Sequence, residues 1–174
     1  LVMFQYDISF HGVKHTTKPT GKEIGIISNH LVETKIDYRK LVSEVGEAGC
    51  SFCPAVYHGK RRAENFKSQQ IIGLDFDSGV PFHIIQERAK YYHLKMLFAY
   101  KTFSHTIEHE RFRVVFALQH KITDSFTAKS IVSIFMKIFE NCDEACKDSA
   151  RLFFGGKGLL HLASKPREIS LGEI

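Results

Sequence analysis

Apolar and polar positions alternate along the chain in blocks whose period changes from two to about three and a half. Residues 3–13 (MFQYDISFHGV) alternate as a strand, and a cluster of Thr, Lys, Pro and Gly at 16–22 ends it in a loop. From Thr34 to about Glu47, Tyr38, Leu41, Val42 and Val45 recur at helical spacing, and the glycines at 46 and 49 close the helix. The segment CSFCPAVYHGKRR, from Cys50 to Arg62, reads as a short strand running into a basic turn. Residues 1–65 thus form a small N-terminal αβ lobe with no nameable chemistry.

The remainder is more regular. SQQIIGLDFDSG (68–79) is a buried strand ending in an acidic turn. PFHIIQERAKYY (81–92) starts a helix with Pro81 at its first position and keeps Ile84, Ile85, Arg88, Ala89 and Tyr92 near one face. Strands follow at 96–101 and 111–118, then a helix from Thr123 to about Asn141 with Phe126, Ile131, Ile134, Phe135, Ile138 and Phe139 on its apolar stripe, then a strand at 150–155. The order β-α-β-β-α-β is the ferredoxin-like arrangement shared by RNA-recognition modules and polymerase palms. The fold expected is therefore α+β: an RRM-like βαββαβ palm over 66–174 with the lobe at 1–65, together one core. Such a fold is compatible with many activities.

Its geometry narrows the choice. Right-handed crossovers put the first palm strand in the middle, flanked antiparallel by the third and fourth. Asp75 and Asp77 end the first strand on one face, because strand side chains alternate with period two. Arg111 and Arg113 begin the third, and Asp148 and Arg151 stand at the start of the fourth. Three carboxylates crowded on one patch repel unless a cation sits among them, and Mg²⁺ or Mn²⁺ suits such oxygen ligands while leaving positions for phosphates. Two such ions would align an attacking 3′-hydroxyl and assist a departing pyrophosphate, with the arginines on the triphosphate or template backbone. Met alone, a D-x-D or an R-x-R is more often a solvated turn or surface pair; their joint placement favours a metal and phosphate site.

A net charge of +5 suits a polyanionic partner, and Lys60, Arg61, Arg62 and Lys67 concentrate that charge locally, as a template-binding cluster or as a solvated loop. Cys50, Cys53, Cys142 and Cys146 have a spacing that permits zinc if the two pairs meet in space; reduced thiols are the favoured reading. No run approaches about 20 apolar residues, and polar residues enter the N-terminus too early for a signal peptide. A cytoplasmic, non-membrane protein is expected, and the non-Met start and abrupt end suggest a piece of a longer one. His58, His83, His93, His120 and His161 stand apart from one another and read as surface or satisfied side chains.

The motifs resemble those of archaeo-eukaryotic primases. IIGLDFDSG is similar to their first motif and KDSARLFFGGKG to their third, over about residues 48–158. The small primase-polymerases of plasmids, phages and CRISPR-associated loci are nearest, since a G-x-S-F-x-P-A stretch like Gly49–Ala55 also precedes their first motif. The second motif departs from the pattern. Where the family has S-x-H before an apolar strand, this chain has Arg111-Phe112-Arg113, so either Arg113 or Ser104 and His105 of the upstream TFSHT would contact the nucleotide. Lys157 is a further phosphate candidate or a solvated loop lysine. The resemblance implies template-dependent joining of NTPs or dNTPs, with single-stranded DNA template and primer, catalytic Asp75, Asp77 and Asp148, and two Mg²⁺ or Mn²⁺ ions. It also implies a prokaryotic or mobile-element source and additional helicase, primase C-terminal or CRISPR-adaptation modules. Three rivals stand beside it. A non-catalytic RNA-recognition module would show aromatics where acid and arginine stand here. A rolling-circle nuclease needs an H-x-H motif, which the sequence lacks. A palm-type nucleotide cyclase uses two carboxylates, and template dependence separates it from a polymerase.

Overall fold

A computed structural model describes residues 3–174 as an α+β fold. In chain order the elements are β1 (Gln5–His11), α1 (Gly21–Asn29), β2 (Val32–Asp37), α2 (Tyr38–Leu41, continuing as π-helix through Val42–Glu47), β3 (Ser51–Cys53) and β4 (Ala55–Tyr57). They continue with β5 (Phe66–Phe76), α3 (Phe82–Tyr91), β6 (Phe98–Lys101), β7 (Phe112–Ile122), α4 (Ser125–Ile138), β8 (Leu159–Leu162) and β9 (Glu168–Ile169). A small antiparallel sheet has the order β2-β1-β3; a larger one runs β4-β5-β7-β6-β8, antiparallel between neighbours, with β9 added parallel to β7. No helix among the described residues is long and apolar enough to cross a membrane.

The unbroken apolar run of β5 has its physical cause in two covered faces. Ile72, Leu74 and Phe76 are fully buried on one side, where Phe76 stacks on Phe112 at 5.1 Å, and Phe82 at the start of α3 meets Phe112 edge-on at 5.1 Å. On the other side Gly73 lies under the ring of Phe153, which stacks in turn on Phe52 of β3; a Cβ at position 73 would come within 3.2 Å of that ring. Helix α4 is set by Asp124, whose carboxylate accepts from the Thr127 amide at 2.7 Å. It buries Ala128, Ile131, Val132 and Phe135, whereas Phe126 faces solvent at 79% exposure, outside the stripe expected of it.

Three strands of the palm stand as the pattern predicts: β5 and β6 run parallel with β7 between them. The fourth does not. Residues 150–155 pair with the small sheet instead, through reciprocal Phe52–Phe153 backbone hydrogen bonds of 2.8 and 2.9 Å, and β4 occupies the flank of β5. Pro54 allows this exchange, because it interrupts what the sequence presents as one strand and sends β3 and β4 to different sheets. The boundary anticipated at residue 65 falls between the paired strands β4 and β5, and one core holds Tyr6, Ile8 and Ile36 together with Leu74, Phe98 and Phe116. Residues 34–37 belong to β2 rather than to the helix expected there, and α1, β8 and β9 emerge from segments with weak periodicity. Pro81 is the N-cap of α3, one place before the position anticipated.

Helix α3 ends in a Schellman motif. The Leu94 amide donates to the Ala89 carbonyl at 2.9 Å and the His93 amide to the Lys90 carbonyl at 3.2 Å, which forces His93 to φ 57°. Glycine occupies that conformation without a Cβ penalty. His93→Gly is therefore expected to raise unfolding free energy by about 0.5–1 kcal/mol in a urea titration, and an unchanged or lower midpoint would contradict the assignment.

Candidate metal and phosphate site

Asp75, at the C-terminal end of β5, is 1% exposed. A carboxylate so placed must be hydrogen bonded or neutralised. Both its oxygens are engaged: Arg113 Nε donates to Oδ1 at 3.2 Å and Arg151 Nη2 to Oδ2 at 2.7 Å. Arg113 arrives because β7 pairs Arg113 directly opposite Asp75, and the ring of Phe153 lies within 5.7 Å of its guanidinium and 5.0 Å of that of Arg151. Burial pushes the Asp75 carboxyl above its ordinary range, Arg113 opposes this, and Asp77 adds to it.

The third carboxylate is Asp143, and this corrects the expectation for Asp148. Oxygens of Asp75, Asp77 and Asp143 lie within 4.8 Å of one another. The turn after α4 docks on the last residues of β5: the Asp143 amide donates to the Asp75 carbonyl at 2.8 Å and the Asp75 amide to Cys146 Sγ at 3.3 Å. A turn thus takes the edge of β5 that a fourth strand would have paired. Asp143 Oδ2 also accepts from Arg151 Nη2 at 3.1 Å, and the Ala145 amide, the largest influence, holds its carboxyl below the ordinary range. Asp148 is exposed, with its carboxylate accepting from the Ala150 amide at 2.9 Å as a local turn bond. Its neighbours are not the acids: it lies on the side of Cys53 and Tyr57. The sequence offers Asp143, Glu144 and Asp148 within one short polar stretch, so only the docking of the turn selects among them.

Beside the acids a small cavity is lined by Asp77, Ser104, Arg111, Arg113 and Lys18. Sequence reasoning missed Lys18, which comes from the N-terminal loop and carries no local signal. Arg111 also lines the cavity, and its buried Nε has no hydrogen-bond partner among the described residues. His105 serves the fold: its Nδ1 lies 3.1 Å from the Arg111 amide and 3.0 Å from the Arg111 carbonyl, closing the loop between β6 and β7. Lys157 does likewise, donating to the carbonyls of Phe103 at 3.3 Å and His105 at 3.0 Å. Of the two second-motif candidates, Arg113 and Ser104 border the cavity.

The basic cluster lies across the 148–151 turn from the acids. Lys60, Arg61 and Arg62 line a separate polar cleft of about 420 Å³. Arg61 is committed to the fold, bonding the Ala150 carbonyl and Ser28 Oγ; Lys67 pairs with Glu33 at 2.8 Å, and Arg62 stands 4.0 Å from Glu64. The cysteine pairs do not assemble: among the described residues the acids form the sole group of three or more potential ligands. Cys53 Sγ lies 3.4 Å from the Ser149 carbonyl, and burial pushes the thiols of Cys50 and Cys53 up to about 12 and about 11.

The donor chemistry at Asp75, Asp77 and Asp143 fits a hard divalent cation, which prefers carboxylate oxygens. Asp77 is exposed and has no ion pair or side-chain hydrogen bond among the described residues. The two residues of the D-x-D therefore have opposite roles in stability. Asp75→Ala leaves the largely buried Arg113 without a carboxylate and Arg151 with Asp143 alone, and should cost about 3 kcal/mol in urea unfolding, whereas Asp77→Ala should change stability by less than about 0.5 kcal/mol. Equal losses in the two variants would contradict this division.

Compared with known proteins, the chain matches no curated sequence and no solved structure. A family model does match it, over residues 27–156, which contain all three acids, both arginines on Asp75 and the 148–151 turn. That match covers well over half of the 174 residues, and the chain belongs to the VapE N-terminal domain family.

Proposed function

We propose that the chain is the catalytic core of a template-dependent nucleotidyltransferase of primase-polymerase type, joining NTPs or dNTPs on single-stranded DNA. The observation that carries this reading is the gathering of Asp75, Asp77 and Asp143 within 4.8 Å of one another, beside a cavity lined by Arg111, Arg113 and Lys18. The resemblance of IIGLDFDSG to the first primase motif supports it; of the stretch like the third motif, KDSARLFFGGKG, Arg151 reaches Asp75 while Asp148 does not join the acids, and Asp143, five residues upstream and outside that stretch, supplies the third carboxylate.

In this reading Asp75, Asp77 and Asp143 would hold Mg²⁺ or Mn²⁺, and the ion when bound would supply charge neutralisation at the reacting phosphate and acidify the attacking hydroxyl. Arg111 and Lys18, which line the cavity, bind the nucleotide's phosphates at its wall. Arg113, fixed by Asp75 and the aromatic rings around it, keeps a positive charge where the pyrophosphate leaves. The bond formed joins the 3′-oxygen to the α-phosphorus, the bond broken joins that phosphorus to the pyrophosphate oxygen, and the hydroxyl proton leaves to solvent.

One observation favours a second reading. Both Asp75 oxygens are occupied by guanidiniums, as suits a nucleic-acid-binding module stabilised by an internal ion network and without chemistry.

Incorporation of labelled nucleotides on a primed DNA template in Mg²⁺ or Mn²⁺ tests the proposal. Asp77→Ala, chosen because it spares the fold, should lower product at least about 100-fold, and Arg111→Ala should raise the KM for nucleotide. Equal product from Asp77→Ala and the unaltered chain sinks the metal site. DNA binding with no incorporation by either selects the module.

A further inference from the structure

At the opposite end of β6 from the acids, a groove of about 510 Å³ lies between the end of α3 and the edge strand β8. Its size falls in the range of small-molecule sites. The floor is apolar: Leu162 of β8, 50% exposed, presents most of it, over the buried side chains of Met96 and of Leu94, which the Schellman turn delivers. The rim is cationic. Lys90 stands on α3, Lys95 follows it, and Lys165 and Arg167 come from the segment after β8.

No acidic residue lines this groove, and none of the four cations takes part in a salt bridge among the described residues. What sets these four apart is that they share one concavity. Four like charges around one concavity repel each other and concentrate positive potential there, a cost that a bound anion relieves. A simple inorganic anion would leave the apolar floor wet. A ligand with a flat apolar body and a phosphate tail meets both surfaces at once.

We propose that this groove is a second nucleotide-binding site, in which Leu94, Met96 and Leu162 take the base and Lys90, Lys95, Lys165 and Arg167 take the phosphates. The nucleotide is either free or a unit of a single strand; the chemistry recognised is the same. The site is independent of the acidic cluster and of the reaction proposed for it. Half of it, from His161 onward, lies beyond residues 27–156 matched by the family.

Binding of fluorescent ATP and of a labelled oligothymidylate, measured by anisotropy in EDTA so that metal-held ligand is silent, tests the site. The exposed double variant Lys165→Glu/Arg167→Glu should weaken binding at least about 10-fold, since two charge-assisted contacts are lost. Leu162→Asp should do the same through the floor, while Asp77→Ala should leave affinity unchanged. Loss for ATP alone assigns a free nucleotide, and loss for the oligonucleotide, with or without ATP, assigns a strand. Affinity for both probes unaltered in the double variant and in Leu162→Asp, or binding abolished by Asp77→Ala instead, overturns the proposal.

Discussion

A carboxylate sealed inside a protein has to be neutralised where it stands, and at Asp75 two guanidiniums from distant parts of the chain do this. Arg113 reaches it across a strand pair, and Arg151 reaches it from a turn that has to be folded back over the sheet. Leaving that charge uncompensated would cost several kcal/mol, comparable with the whole stability of many domains. The ion network is thus a folding constraint before it is chemistry. It obliges the segment after α4 to dock on β5, and that docking carries Asp143 to Asp77.

The same docking explains the departure from a four-stranded ferredoxin-like palm. One edge of β5 is shared out between β4, which pairs near its start, and the Asp143–Cys146 turn, which bonds both the amide and carbonyl of Asp75. A turn exposes side chains in several directions where a strand would alternate them, so the acid cluster gains a carboxylate that strand geometry would have placed elsewhere. Phe153, released from the large sheet, fills the hollow above Gly73 and supports both guanidiniums with its ring.

Much of this is legible in the sequence, for identifiable reasons. β5, α3, β7 and α4 are long and strongly periodic, and the D-x-D and R-x-R pairs sit where the strand alternation says they should. The acidic partner is not legible, because Asp143 and Asp148 flank one turn and selecting between them depends on which edge of β5 is open. The segment at 150–155 misleads because the apolar pair Phe153–Phe154 fits a sheet of either lobe; the partner of Phe153 is Phe52, about a hundred positions earlier. Lys18 is invisible because nothing in an exposed polar loop marks a cation that tertiary folding turns toward a cavity. The bonds of Lys157 and His105 to loop carbonyls and an amide are equally unmarked in the sequence, because they depend on how the loop between β6 and β7 closes.

The grip of the first lobe on the 148–151 turn has a wider implication. Tyr57 and Cys53 both donate to the Ser149 carbonyl, and Arg61 bonds that of Ala150, immediately before the arginine that neutralises Asp75. The two lobes are consequently not a catalytic body with a detachable cap. Any dissection that begins at β5 discards the side chains that hold Arg151 in register, so the smallest autonomous unit must reach back through the small sheet, and insertions are better tolerated in the solvent-facing stretches than at the seam.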